Sequence, residues 1–68
     1  MYRNLKAELV RHNISNIEVA KKLGITEGTV SLKINGKAKI SLDEAFSIQD
    51  LIYKKSGKTI PIEELFRL

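Results

Sequence analysis

The chain has 68 residues, of which 43% are hydrophobic, with four glycines, one proline and no cysteine. This is the composition of a globular chain; it excludes disordered and collagen-like classes, and the length leaves room for one small domain. Without a thiol there is no disulfide and no thiolate ligand, so the fold must rest on packing and helix caps, while a net charge of +4 favours a polyanionic partner.

From Tyr2 to about His12, Tyr2, Leu5, Leu9 and Val10 recur near one face at helical spacing, which predicts a first helix that Asn13 ends. Ser15 with Glu18 three residues on forms a capping box, and Ile14 and Val19 occupy the positions of a hydrophobic staple. A second helix is therefore expected over Asn16 to Leu23, with Val19, Ala20 and Leu23 inward and Gly24 as its left-handed stop. Thr26 can cap a third helix, leaving a connection of about three residues, the length of a helix-turn-helix. In that helix Val30 and Ile34 point inward by their spacing, whereas Gly28, Thr29, Leu32 and Lys33 fall largely on the outer side.

Gly36 closes the third helix, and Lys37, Ala38 and Lys39 make a basic loop. Ser41 with Glu44 is a second capping box. The fourth helix carries Leu42, Ala45, Phe46, Ile48, Leu51 and Ile52, an apolar surface too broad for one neighbour, which predicts a central position. Lys54 to Lys58 reads as a loop, after which Thr59 and Pro61 suit the start of a last short helix with Ile62, Leu65 and Phe66. The expected fold is all-α, a compact five-helix bundle forming a single domain over residues 1–68, with no strand alternation and no internal repeat.

No segment approaches the roughly 18 apolar residues of a membrane span, and no signal-peptide pattern opens the chain, so a cytoplasmic location is the default expectation. His12 is the only histidine, which with no cysteine leaves no zinc set; near a helix end it suits the last carbonyls better than a ligand role. The nucleophile elbow, the phosphate-cradling loop and the dinucleotide fingerprint are all missing. Glu63 and Glu64 are adjacent and diverge on a helix, so they make no acid and base pair. Neither catalytic residues nor a cofactor, metal or small-molecule ligand is expected.

The charge is uneven. Residues 1–39 carry eight basic side chains against three acidic ones, and residue 40 onward carries four against five. A phosphate-binding face thus belongs in the first half. Two capped helices meeting at a glycine turn within that half suggest a DNA-reading element, because a helix fits the major groove and a short turn lets the second helix project, with a plain helical bundle whose charged face is only solvated as the other reading of these features.

The stretch N-I-E-V-A-K-K-L-G-I-T-E-G-T-V-S-L-K-I-N-G-K resembles the helix-turn-helix of Cro and λ repressor-like regulators, the XRE class. The likeness rests on Ala20, Gly24, Val30, Ser31 and the run Asn35-Gly36-Lys37; Met1 to Leu9 looks like the first helix of the family and Glu64-Leu65-Phe66 like its closing segment. The chain is most similar to short repressor-like proteins of phages and mobile elements in low-GC Gram-positive bacteria. The resemblance implies a helix-turn-helix at about residues 16–36 and a recognition helix starting near Glu27, with Glu27, Gly28, Thr29 and Leu32 facing bases. It also implies phosphate contacts from Asn16, Ser31, Lys33, Asn35, Lys37 and Lys39.

Glu27 can accept from a cytosine amino group or simply favour the helix dipole; Thr29 and Leu32 can meet a thymine methyl; Gly28, with nothing to read with, allows close backbone approach. The implied partner is double-stranded DNA, as a pseudo-palindromic operator bound by a homodimer with half-sites about 34 Å apart. Ile62, Leu65, Phe66 and Leu68 offer an apolar dimer surface, with packing onto the fourth helix as the plain alternative. A second functional reading is a protein-interaction module of the same fold, an antitoxin or antirepressor whose DNA binding depends on a partner.

Overall fold

The structure, a computed structural model, describes residues 1–68. It consists of five helices and no strand: α1 (Arg3–Arg11), α2 (Asn16–Leu23), α3 (Glu27–Ile34), α4 (Leu42–Ser56) and α5 (Ile62–Leu65). The expected all-α five-helix fold is what the chain adopts.

The helix starts marked in the sequence are closed by the side chains that mark them. Ser15 Oγ accepts the Glu18 N–H at 3.2 Å while the Glu18 carboxylate accepts the Ser15 N–H at 3.4 Å. Ser41 and Glu44 repeat the arrangement at 3.1 and 3.0 Å, and Thr26 Oγ1 accepts the Thr29 N–H at 3.2 Å. Each cap satisfies donors that a helix start leaves open and contributes about 1 kcal/mol. Asn13, at φ +55°, reverses the chain after α1, a conformation that asparagine tolerates better than most residues.

Leu5 and Leu9 of α1, Ile14, Val19 and Ala20 of α2, Val30 and Ile34 of α3, Ile48 and Ile52 of α4 and Leu65 of α5 form one buried cluster. No polar side chain is buried with them. Helix α2 packs on both α3 and α4, and α5 touches α1 and α4. Polar clamps fix α5: Asn4 Nδ2 donates to the Glu64 carbonyl at 2.9 Å and Gln49 Nε2 to the Ile60 carbonyl at 2.7 Å. The Tyr2 and Phe66 rings meet edge to face at 5.5 Å, and the Tyr2 N–H donates to the Ile34 carbonyl at 3.0 Å, joining the start of the chain to the end of α3.

Four expectations need correction. Val10 does not share the inward face of Leu5 and Leu9; it is 70% exposed, because one residue past Leu9 is a turn of about 100° around the helix. Lys54, Lys55 and Ser56 are not loop but the last turn of α4; Gly57, at φ +75°, is the stop, and its N–H reaches the Tyr53 carbonyl at 2.7 Å. Two lysines there also suit the negative end of the helix dipole. Helix α4 is not enclosed: Ala45, Ile48 and Ile52 are buried, but Leu42 and Phe46 are exposed. The reason is length, since the four residues of α5 cannot cover a helix of 15. Finally, Leu65 cannot belong to a dimer surface, being fully buried in the core of its own chain. Phe66 is partly covered by Tyr2, Ile62 is half-buried, and only Leu68 of the four stands free.

Candidate nucleic-acid interface

Three residues, Gly24, Ile25 and Thr26, join α2 to α3. Gly24 takes φ +71° and its N–H and that of Ile25 both donate to the Ala20 carbonyl, at 2.8 and 3.1 Å. A side chain at this φ would strain the backbone, so glycine allows the chain to turn at once into the Thr26 cap. Thr26 Oγ1 also lies 2.9 Å from Thr29 Oγ1, which tightens the first turn of α3.

Helix α3 buries Val30 and Ile34 and turns the opposite side outward. Glu27, Gly28, Leu32 and Asn35 are exposed, with Leu32 at 47%, while Thr29, Ser31 and Lys33 are intermediate. By helical period Gly28, Leu32 and Asn35 form the centre of the outer face, Thr29 and Ser31 its two flanks, and Glu27 sits nearer the core side at the exposed first turn. Gly28 is not required by the chain itself: a Cβ built there meets only Thr26 Oγ1, at 4.0 Å. Glycine in a helix costs about 1 kcal/mol relative to alanine, so this position carries a local cost that no internal contact explains.

Three of the expected phosphate contacts come together. Asn16 from the start of α2, with Ser31 and Asn35 from α3, lines a groove of about 160 Å³, in which Asn35 Nδ2 donates to the Ser31 carbonyl at 2.9 Å. A fourth polar residue completes it. Lys6, from α1, lines the same groove and pairs with no carboxylate. The sequence puts Lys6 on the polar side of the first helix, but no local signal shows which neighbour that side meets.

Beyond α3 the chain leaves through a tight cap in which the Lys37 N–H donates to the Leu32 carbonyl at 2.9 Å and the Gly36 N–H to the Lys33 carbonyl at 3.1 Å. This geometry holds Lys37 and Lys39, both exposed, just past the end of the helix. Lys33 behaves differently from the expected phosphate ligand. Its ammonium donates to the Lys39 carbonyl at 2.6 Å and to the Glu44 carboxylate at 3.0 Å, and only 14% of its side chain is accessible. Lys33 braces α3 and the basic loop against the start of α4, because a lysine directed between two elements finds a capping-box carboxylate nearer than solvent.

The ion pairs divide the cations into two sets. Lys22, Lys33, Lys54, Lys55 and Arg11 are paired, to Asp50, Glu44, Asp50, Glu18 and Glu8 respectively. Lys55 and the Ser15 N–H hold the Glu18 carboxyl below the usual carboxylate range; the Ser41 N–H and Lys33 do the same for Glu44, and Lys22 and Lys54 for Asp50. Asp50 in turn raises Lys22. Arg3, Lys6, Lys21, Lys37 and Lys39 within residues 1–39, and Lys58 and Arg67 near the end of the chain, have no carboxylate partner. Unpaired lysines beside a projecting helix are what a polyanion neutralises.

His12 caps the end of α1 and lies 3.4 Å from the Glu8 carboxylate. No group of three or more His, Asp or Glu side chains is placed to hold a metal ion, and no helix is long and apolar enough to cross a membrane.

Comparison with curated proteins and with solved structures gives no match. The family model described as helix-turn-helix matches residues 5–52, which includes the whole of α2, the turn and α3 and reaches from the core of α1 to the last buried residue of α4. With that match over most of its length and the turn, caps and projecting helix in place, the chain belongs to the helix-turn-helix family of Cro and λ repressor-like (XRE-type) DNA-binding transcription regulators.

Proposed function

We propose that the protein is a transcriptional repressor of the phage or mobile-element type that acts by occupying an operator. The observation that carries this reading is the outer face of α3, made of Gly28, Leu32 and Asn35 and bordered by Lys6, Lys37 and Lys39, none of which is engaged by a carboxylate. The run from Ser31 to Lys37 supports the origin. Affinity comes from phosphates neutralised by Lys6, Lys37 and Lys39, with Asn16, Ser31 and Asn35 placing their polar groups against the same backbone.

Selectivity comes from the groove floor. Leu32 meets a thymine methyl, Thr29 a base edge or methyl, and Glu27 an exocyclic amino group of cytosine. Gly28 lets the helix backbone approach the bases more closely than any side chain would permit. One module of this size covers a single half-site, so two copies occupy a pseudo-palindrome with centres one helical turn apart and shut out polymerase.

Selection of bound sites from random duplexes, with affinity followed against salt, tests the reading. A two-fold symmetric consensus with a steep salt slope is expected; a shallow slope and no enrichment over random sequence overturn it.

A further inference from the structure

Helix α4 carries an uncovered row of its own. Leu42, Phe46 and Tyr53 follow one another at i, i+4 and i+11 and so align along one side of the helix. They are 64%, 50% and 49% exposed; the row lies about 100° around the helix from the buried Ala45, Ile48 and Ile52, and Gln49, on its other flank, donates to the Ile60 carbonyl. Their free apolar surface is on the order of 300 Å², the size of the largest patch on many monomers. Along one flank of the row stand Asp43, Asp50 and Lys54. Asp50 is held by Lys22 at 2.9 Å and Lys54 at 3.3 Å, whereas Asp43 has no ion-pair partner in the chain.

We propose that a second copy of the chain docks on this row, the two α4 helices running antiparallel about a two-fold axis midway between Phe46 and Tyr53. A two-fold contact must be complementary to itself, residue i meeting j and j meeting i. With the axis there, Phe46 of each copy meets Tyr53 of the other, an aromatic pair made twice. At 1.5 Å per residue, Asp43 lies within about 3 Å, measured along the axis, of Lys54 of the second copy and on the same flank, so the unpaired carboxylate gains an ammonium. The two Asp50 carboxylates approach near the axis, each already compensated by Lys22 and Lys54. A parallel pair would set Asp43 against Asp43 instead. This self-completing charge pattern is what identifies the occupant as a second copy.

A stable interface buries roughly 800 Å² per partner, more than twice what the row provides. The pair is therefore weak when free and fills when two half-sites hold the copies at high effective concentration. That step rests on the two-half-site reading above; the surface itself does not.

The native sequence has no cysteine, so disulfide trapping of the full chain reports the register directly. Chains carrying Phe46→Cys and Tyr53→Cys are mixed and oxidised, with a two-half-site duplex and, separately, without DNA at high protein concentration. A disulfide needs Cα atoms roughly 4.4–6.8 Å apart. Mixed cross-links are expected in both settings, and Phe46→Cys alone is expected not to link to itself, because its two copies lie about 10 Å apart along the axis. Absence of the mixed product, equal self-linking, or preferred self-linking of a Leu68→Cys chain overturns the proposal.

A charge reversal gives a second readout. Asp43→Lys reduces the cooperative gain on two half-sites by about fivefold and Asp43→Glu, which keeps the charge, leaves it in place, while binding to an isolated half-site stays at the parental level. If the parental chain binds half-sites without any cooperative gain, the α4 surface fails. If it binds no half-site, the DNA reading fails, and the cross-links formed without DNA still decide the surface.

Discussion

Helices α3 and α4 each leave one side uncovered, and the two sides differ in chemistry. The outer side of α3 is small and polar around the single apolar Leu32 and is bordered by lysines that no carboxylate holds; that of α4 is aromatic and aliphatic, and the lysines around it are paired with acids. A lysine next to a carboxylate of its own chain contributes to the fold, whereas one without such a neighbour keeps its charge for an anion elsewhere. Lys33 and Lys37 show the contrast four residues apart: one is locked on Glu44, the other stands free on the surface.

Removing the three free lysines that border α3 is the strongest way to break this contrast. Replacing Lys6, Lys37 and Lys39 together by alanine should weaken binding to every duplex and lower the slope of log affinity against log salt by about 2.7, from roughly 0.9 per phosphate contact. Circular dichroism and thermal unfolding should stay close to the parental chain. If the slope does not change, the lysines are ordinary surface charge.

Lys33→Ala should act in the opposite sense. It strands the Glu44 carboxylate, three quarters of which is shielded, and releases the Lys39 carbonyl, so urea unfolding should show a loss of about 1 kcal/mol. The salt slope of DNA binding should stay as it was. A fall in slope equal to that of Lys37→Ala would return Lys33 to the phosphate-binding set.

Gly28→Ala should separate stability from function at one position. The site has room for the methyl group, so the variant should be more stable by about 0.5–1 kcal/mol. If α3 approaches the bases as closely as proposed, affinity for the selected site should drop while non-specific binding does not. A variant that is both more stable and equally selective removes Gly28 from the interface.

The smallest effect is that of pH. Glu18, Glu44 and Asp50 ionise at lower pH in the folded chain than when unfolded, so unfolding takes up protons in acid. Their contribution is fully present above the ordinary carboxylate range near pH 4 and is lost as pH falls through the depressed folded values. Lys22 is raised, so its contribution is present below its unfolded value and lost as pH rises through the folded one. The melting temperature should thus be flat around neutrality and fall at both extremes, first on the acid side. In Glu18→Gln the acid fall should become shallower.

Much of this architecture is legible from local chemistry. Ser15, Thr26 and Ser41 mark helix starts because a cap needs only a side-chain oxygen and an N–H a few residues away, and Gly24 marks a stop because few other residues accept its φ. The same locality explains why α2 is expected over Asn16 to Leu23 and the start of α3 near Glu27. The end of α4 was harder: three consecutive polar residues look like a loop until Gly57 is recognised as the true terminator. Among the proposed phosphate contacts, Asn16, Ser31 and Asn35 share one groove, a grouping that no local pattern shows; that Lys6 joins them and that Lys33 turns to Glu44 depends on which helix lies across from each.

By itself the sequence determined the number and starts of the helices, the three-residue turn, the inward stripes of α2 and α3 and the basic character of the first half, all of which follow from interactions within a few residues. Only the tertiary structure decided which cations are free, which side of α4 stays open and that Leu65 is spent on the core. Ion pairing and burial are properties of neighbours far apart in the chain, and no local pattern records whether a short last helix reaches far enough to cover a long one.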